Sequence, residues 1–235
     1  MNDSAYHIPI LNLLVIFLPV LAVMAIYIRW DLPVRTLTYA TGRMVGQLIF
    51  IGYALLFVFR QDSAAVSCAI LVLMLLISSW IALRPLKKLR RRLFGRALTA
   101  ICGGGMPVLA LVIFGVVRLD PWYMPRYLIP LAGMIFASAM NCVSLCAERY
   151  QAEIGAGKAH VEARSVAYQA ALIPLLNSFF AVGLVSIPGM MTGQILSGVS
   201  PLLAVRYQMM VMCMLLGASG IAAALYLILI EKDPA

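Results

Sequence analysis

Residues 63–83 read SAAVSCAILVLMLLISSWIAL, an apolar run that holds no charged side chain. A helix of roughly 20 apolar residues crosses about 30 Å of hydrocarbon, so this run has the length of one membrane crossing. Further charge-free stretches lie on both sides of it along the chain. The sequence therefore predicts an all-α, polytopic membrane protein.

Composition supports this class. The 235-residue chain is 63% hydrophobic and only 11% charged, whereas a soluble domain is nearer half apolar and a quarter charged. A net charge of +9 would favour nucleic-acid binding in a soluble chain, but in a membrane protein basic residues mark cytoplasmic loops. We therefore expect contact with a lipid bilayer and no nucleic-acid partner.

We predict seven transmembrane helices. The uncharged stretch 165–205 is too long for one crossing, and Pro188, Gly189 and Pro201 divide it into two. A proline or glycine at such a place ends a helix more readily than it continues one. The predicted spans cover residues 8–29, 36–59, 63–83, 97–117, 127–147, 166–187 and 204–230.

The distribution of Lys and Arg predicts the orientation of the chain, because these residues favour cytoplasmic loops. Of the 18 Lys and Arg residues, 14 fall in one set of alternate loops and 4 in the other. The N-terminus is therefore predicted outside and the C-terminus in the cytoplasm. The basic run 84–96 is typical of a topology determinant that also attracts anionic lipid headgroups; docking of a specific partner is the alternative.

Enzymatic chemistry is not expected. Ionisable side chains are costly inside a bilayer and are kept there for function, yet no Asp, Glu, Lys or His lies in the middle of a predicted span. Residues 155–158 (GAGK) superficially resemble a phosphate-binding loop, but Ala152 and Ala159 replace the required glycine and hydroxyl residue. We expect no bound cofactor, and energy for active transport would come from another subunit.

Neutral polar residues lie within the apolar spans. Either they form hydrogen bonds between helices, or they line a shared substrate pathway, which nearby Gly and Pro favour. Small residues at 217–220 (GASG) predict close helix packing, and the glycine run 103–105 with Pro107 predicts a weakened fourth span. The pathway candidates within the helices are Gln47, Asn141, Asn177 and Ser178.

The most specific motif is VGLVSIPGMMTGQILSG at 182–198, followed by SP at 200–201 and RYQ at 206–208. This pattern resembles the Fet-type iron-export permeases of ABC transporters, and plant permeases involved in aluminium tolerance share it. The resemblance covers about residues 40–230. Supporting matches in the second and fifth spans are Arg43, Gln47, Gly52, Tyr53, 129–134, Met140 and Asn141.

The resemblance implies one transmembrane permease domain over residues 1–235, without ATPase activity, in the cell (inner or plasma) membrane. It also implies a homodimer that works with a separate ATP-binding subunit. Segment 148–164 stands where such permeases contact their ATPase, and we expect a short helix there that forms a polar dock; a solvated loop is the alternative. The implied coupling residues are Glu153, Ile154, Gly155, Ala156 and Lys158.

Pro188, Gly189 and Gly193 predict a helix break at the outer end of the sixth span. An uncharged, broken segment is tolerated at membrane depth where protein or a water-filled cavity covers its backbone. We predict a broken outer segment over 188–201 with an outer gate near the dimer axis at 188–198; an ordinary tight turn is the alternative. Its apolar plug would be Met190 and Met191, and its polar contacts would be Thr192 and Gln194.

The chain departs from the family pattern in the sixth span. Asn177 and Phe180 stand where the family usually has an aspartate and, three residues on, a lysine. Loss of the carboxylate removes a hard-cation ligand, since iron favours oxygen or imidazole donors. The predicted function is the permease subunit of an ABC exporter for a metal ion, iron first, with the metal ligands unknown. The alternatives are a small organic or lipid-like substrate, and a non-transporting scaffold for an ATPase complex.

Overall fold

The structure, a computed structural model, describes residues 9–59 and 63–231. Over these residues the backbone forms nine α-helices and one π-helical segment, with no β-strand. The helices are α1 (Ile10–Val15), α2 (Phe17–Arg29), α3 (Val34–Val58), α4 (Ala64–Ala82), α5 (Arg90–Ala110), α6 (Pro125–Gly155), α7 (His160–Ala181), α8 (Gly189–Leu196) and α9 (Pro201–Glu231); the π-helical segment is Leu111–Val117.

The helices belong to two compact units, Met1–Gln61 and Asp62–Ala235. The first unit contains α1 to α3, and no residue of α2 or α3 is buried. The second unit contains the hydrophobic core, which α4, α5, α6, α7 and α9 share. In hydrocarbon, exposed apolar side chains need no protein cover, so a helix without a buried face is compatible with a membrane span.

Six helical stretches are long and apolar enough to cross a membrane. They overlap the first five and the last of the predicted spans: Leu11–Arg29, Val34–Val58, Ala64–Ala82, Arg90–Val117, Pro125–Gly155 and Pro201–Ile230. The sixth predicted span, 166–187, falls on α7, which carries charged residues at its start. The all-α, multi-pass fold is thus confirmed, whereas the orientation stays a prediction.

Small residues let α5 and α9 approach closely, as the sequence predicted for 217–220. A Cβ added to Gly104 on α5 would lie 2.6 Å from the backbone nitrogen of Ala222 and 2.7 Å from the carbonyl oxygen of Ala218. Ser219 is fully buried and its hydroxyl is hydrogen-bonded to that of Ser138 on α6, at 2.8 Å. Close backbone approach at small residues is the usual way in which membrane helices associate.

The glycine run 103–105 does not weaken the fourth span where we expected it to. Helix α5 passes through the run without a break, and a Cβ added to any of the three glycines would lie within 3.0 Å of an atom of α6 or α9. The irregularity comes one turn after Pro107, where the π-helical segment begins. Pro107 lacks a backbone donor, so the intrahelical hydrogen bond to residue 103 is missing.

The break in the sixth span also differs from the prediction. Helix α7 ends at Ala181, so residues 182–187 are not helical, and Gly183 has a left-handed φ of 82°. Gly189 and Gly193 lie inside the short helix α8, with Pro188 as its extended N-cap. The second left-handed glycine is Gly198, after α8, with φ 88°. The chain is therefore broken on both sides of α8 rather than throughout 188–198.

Candidate functional site

The predicted site residues of the second unit collect mainly at opposite ends of α6. One end is the connection to α7, which we call the α6–α7 corner (residues 149–164). The other end lies beside a cavity next to α8, which we call the α8 cavity. Helix α6 has 31 residues and is therefore about 46 Å long at 1.5 Å per residue.

The α6–α7 corner is not the separate short helix that we predicted for 148–164. Residues 148–155 continue α6, residues 160–164 begin α7, and a turn joins them. Gly157 in this turn has a φ of 84°, a left-handed conformation that glycine adopts without steric cost. The charged residues lie in helix ends on both sides of the turn, which is why they do not form a helix of their own.

Ion pairs hold the corner together. The Glu153 carboxylate, only 8% exposed, pairs with Arg149 one turn earlier and accepts from Lys158 at 3.0 Å. Lys158 also pairs with Glu162 on α7, at 2.9 Å. Hydrogen bonds to Glu162 and Glu153 raise the pKa of Lys158 above its usual value. The charges of α6, the turn and α7 thus form one chain of interactions.

This arrangement separates the predicted coupling residues into two groups. Glu153 points inward to its ion pairs and Ile154 packs against the hydrophobic core, so both support the corner. Gly155 and Ala156 are exposed at the end of α6. Lys158 belongs to both groups, because it is exposed and ion-paired. A partner docking here would meet Gly155 and Ala156 first.

Beside the corner, the Tyr150 hydroxyl and His160 Nδ1 form a hydrogen bond of 2.7 Å, and the two rings are stacked. Tyr150 is buried whereas His160, the first residue of α7, is exposed. This contact adds a second attachment between the end of α6 and the start of α7. Helices α6 and α7 are thus joined directly by this contact and also through the ion pairs of the turn.

The α8 cavity has a volume of about 410 Å³. Its walls come from the end of the π-helical segment, the first turns of α6, helix α8 and the first turns of α9. It is lined by Val117, Arg126, Tyr127, Pro130, Leu131, Met134, Met190, Gln194, Val199, Leu203, Tyr207 and Met210. A smaller cavity of about 180 Å³, lined by Arg206 among others, shares Val117, Tyr207 and Met210 with it.

The lining of the α8 cavity is mostly apolar, with a few polar groups. Three thioethers reach it from three helices: Met134 on α6, Met190 on α8 and Met210 on α9. The side-chain oxygen of Gln194 is buried and has no hydrogen-bond partner among the described residues. Among the lining residues that the structure describes, no carboxylate, imidazole or thiol occurs.

Met190 and Gln194 are the predicted pathway residues that line the cavity. Met191 and Thr192 lie on the same short helix but are not among the lining residues, and the Thr192 hydroxyl donates to the Pro188 carbonyl at 3.2 Å. Helix α8 therefore presents one part of the predicted gate to the cavity and keeps the other part away from it.

The remaining pathway candidates lie elsewhere. Asn141 on α6 and Asn177 on α7 are exposed, and the Ser178 hydroxyl donates to the Leu175 carbonyl of its own helix at 2.6 Å. Gln47 belongs to the first unit, where its carbonyl oxygen, with the amide suitably oriented, accepts from Arg43 at 3.2 and 3.3 Å. The structure therefore does not bring Asn141, Asn177 or Ser178 into the α8 cavity, and a pathway role for Gln47 stays a prediction.

Two free cysteines, one turn apart on α6, are packing residues. Cys142 and Cys146 are both buried, and the Cys142 thiol donates to the Ala171 carbonyl of α7 at 3.6 Å. Over residues 9–59 and 63–231, no group of three or more His, Cys, Asp and Glu side chains could hold a metal ion.

Comparison with known proteins identifies the family. The sequence profile described as Uncharacterised protein family (UPF0014) matches residues 10–166 and 158–233. The chain belongs to the UPF0014 family. The resemblance to Fet-type and plant aluminium-tolerance permeases is thereby confirmed, as is a multi-pass membrane location. No solved structure gives a significant match.

The chain is similar to several known proteins. The UPF0014 membrane protein slr1647 of Synechocystis is 36% identical over 77% of this chain and 75% of that protein. The probable iron export permease protein FetB of Escherichia coli is 30% identical over 80% of this chain and 77% of FetB. Protein ALUMINUM SENSITIVE 3 of Arabidopsis thaliana is 29% identical over 79% of this chain and 72% of that protein.

The sequence alone predicts no role for most residues that line the α8 cavity of this UPF0014 protein. Arg126, Met134 and Tyr207 come from separate stretches of sequence, so no local pattern unites them. One signal was available. Arg126 and Arg206 belong to the four basic residues on the side of the membrane predicted to hold few, where an arginine has no role in setting orientation.

Proposed function

We propose that this UPF0014 protein is the membrane-spanning permease subunit of an ABC transporter, a homodimer in the cell membrane. It exports a metal ion of the iron class, driven by ATP that a separate subunit hydrolyses. The observation that carries the proposal is the similarity to FetB, which extends over 77% of that relative. All 235 residues would form one permease domain.

The α6–α7 corner supports a route for the energy of ATP hydrolysis. Helix α6 runs without interruption from the corner to the α8 cavity, and α7 runs from the corner to the turn before α8. A displacement of the corner by a docked ATPase would move both helices as rigid rods, because ion pairs fix the corner. That motion would reach α8 from two sides.

Helix α8 would act as the gate of this route. Its eight residues are joined to α7 and α9 through left-handed glycines at 183 and 198. Such short, glycine-bounded segments absorb changes in backbone angles, as hinges do. Met190 and Gln194 would open and close the cavity, while Met191 and Thr192 are not among its lining residues.

ATP hydrolysis by the reconstituted complex tests the proposal. The chain and its ATP-binding subunit would be placed in proteoliposomes, and the ATPase rate measured with Fe²⁺, with Al³⁺ and with no added metal. We expect metal to stimulate the ATPase and ATP added outside to drive uptake of metal into the vesicles, because that ATP reaches only complexes whose cytoplasmic side faces the bath. Both effects should be abolished when the catalytic glutamate of the ATPase is replaced. Failure of the two subunits to associate, or an unchanged rate with metal, would contradict it.

One observation favours a second candidate, a permease for a small organic or lipid-like substrate. The described lining of the α8 cavity has no carboxylate, imidazole or thiolate, the groups that hold iron-class ions in proteins. A volume of about 410 Å³ suits an organic molecule better than a single ion. The same proteoliposomes, supplied with organic candidates instead of metal, distinguish the two cargoes by which of them stimulates the ATPase.

A further inference from the structure

Two arginines with no carboxylate partner among the described residues lie in and next to the α8 cavity. Arg126, near the start of α6, lines the α8 cavity, and Arg206, near the start of α9, lines the smaller neighbouring cavity, which shares Val117, Tyr207 and Met210 with it. Neither guanidinium forms an ion pair with a residue in the described part of the second unit, 63–231. Two positive charges therefore stand at two neighbouring cavities that have three lining residues in common.

These charges have no evident structural purpose. Positive residues are scarce on the side of the membrane where α6 and α9 are predicted to begin, where 4 of 18 are found. Both arginine side chains are exposed, so an anionic group from outside the protein can reach their guanidiniums. An anionic group bound in the cavity would compensate both arginines at once, through charge-assisted hydrogen bonds.

The rest of the lining describes the body of the ligand. Met134, Met190 and Leu131 offer an apolar wall, and thioethers adapt to irregular hydrocarbon shapes. Tyr127 and Tyr207 are amphipathic rings of the kind found at headgroup level. The buried, unpartnered oxygen of Gln194 would accept a hydrogen bond from a hydroxyl or amine of the ligand.

We propose that the α8 cavity binds an anionic amphiphile of the phospholipid class. Its acidic head pairs with Arg126 and Arg206, a headgroup hydroxyl donates to Gln194, and its apolar chains lie against the methionines. Binding itself needs no ATPase; only the further step, that this amphiphile is the cargo, rests on the lipid-like alternative of the proposed function.

Lipid retention measures the binding. The full-length chain would be placed in nanodiscs of phosphatidylcholine doped with phosphatidylglycerol, whose headgroup has both a phosphate and hydroxyls. Retained phosphatidylglycerol is counted by native mass spectrometry after exchange into detergent. We expect about tenfold weaker retention for Arg126→Gln and for Arg206→Gln, the usual loss for one charge-assisted hydrogen bond. Arg118→Gln, on the same side but outside both linings, is the matched control and should not change retention.

Gln194→Leu tests the hydroxyl contact separately. This variant should lose the preference for phosphatidylglycerol over phosphatidic acid, which has no headgroup hydroxyl beyond its phosphate, while it keeps phosphatidic acid. Each variant must elute as the unaltered chain does in size-exclusion chromatography, so that misfolding is not counted as lost binding.

Three results would overturn the inference. The first is equal loss in Arg118→Gln, which would indicate general electrostatic attraction. The second is unchanged retention in both cavity variants. The third is equal competition by soluble glycerol phosphate, which would make the ligand a water-soluble anion. Normal lipid binding without ATP-linked transport would instead contradict the proposed function alone.

Discussion

Single small residues decide how closely α5 can approach α9. A Cβ on Gly104 would meet the backbone of Ala218 and Ala222 at 2.6 to 2.9 Å, and backbone atoms cannot move aside as a side chain can. We therefore expect Gly104→Val to separate the two helices and to destabilise the protein by about 1–3 kcal/mol, as overpacking does in other cores. Thermal unfolding in detergent, followed by tryptophan fluorescence, measures the change.

Gly95 on the same helix provides the matched control. A Cβ there meets no atom within 4 Å, so Gly95→Ala should gain helix propensity, up to about 1 kcal/mol. Opposite shifts in unfolding temperature for the two variants would support the packing explanation. Equal shifts would contradict it.

Glu153 is the residue on which the α6–α7 corner depends. Its largely buried carboxylate balances Arg149 and Lys158, and Glu153→Gln would remove that balance and loosen the turn between α6 and α7. We expect faster hydrogen exchange and faster proteolysis across residues 154–160. Glu162→Gln is the control, because Glu162 is exposed and Lys158 retains Glu153 in that variant. If both variants exchange alike, Glu153 has no special role.

The short helix α8 depends on the two glycines that bound it. A left-handed conformation costs other residues about 1–2 kcal/mol, so Gly183→Ala and Gly198→Ala should destabilise the connections and change the mobility of α8. Gly193→Ala, inside α8 and with no atom within 4 Å of an added Cβ, should have little effect. Cysteine labelling at Met190→Cys, compared between nucleotide states of the complex, measures the movement. Identical labelling in all states would exclude a gate at α8.

The sequence predicts most helices of this protein but not their connections. Charge-free runs of crossing length predict membrane helices because hydrocarbon excludes charges, and this constraint acts on each run alone. The end of α7 is not fixed in this way, because either Gly183 or Pro188 could end the helix. In the structure the helix ends at Ala181, before Gly183. The charges of 148–164 indicate that this segment is exposed. They do not distinguish a loop or a short helix from the ends of two long helices, which is what the structure contains.

The candidate site was predictable only in part for a similar reason. The family motif indicated Met190 and Gln194, since both lie in that one stretch of sequence. Arg126 and Arg206 are 80 positions apart in the chain, and only the packing of α6 beside α9 brings them to neighbouring cavities. The periodicity of a single helix contains no information about such a meeting.

Assembly with an ATPase is expected to use the exposed part of the α6–α7 corner. The Ala156 side chain is a single exposed methyl group, so Ala156→Arg adds bulk and charge at the surface. We expect this variant to reduce copurification of the ATP-binding subunit by about tenfold or more, as mismatched interface charges do. Arg91→Glu, an exposed residue of α5, is the control. Normal copurification of Ala156→Arg would move the docking surface elsewhere.

The orientation of the whole molecule determines whether that corner can meet a cytoplasmic ATPase. The excess of Lys and Arg, 14 of 18, predicts residue 156 inside and residue 200 outside, because the cytoplasmic side retains positive loops. A membrane-impermeant maleimide should therefore label Ser200→Cys in intact cells, and Ala156→Cys only after the membrane is permeabilised. The unaltered chain, with its five cysteines, gives the background. The reverse pattern would turn the α8 cavity toward the cytoplasm, and the proposed docking of an ATPase at the α6–α7 corner would then be impossible.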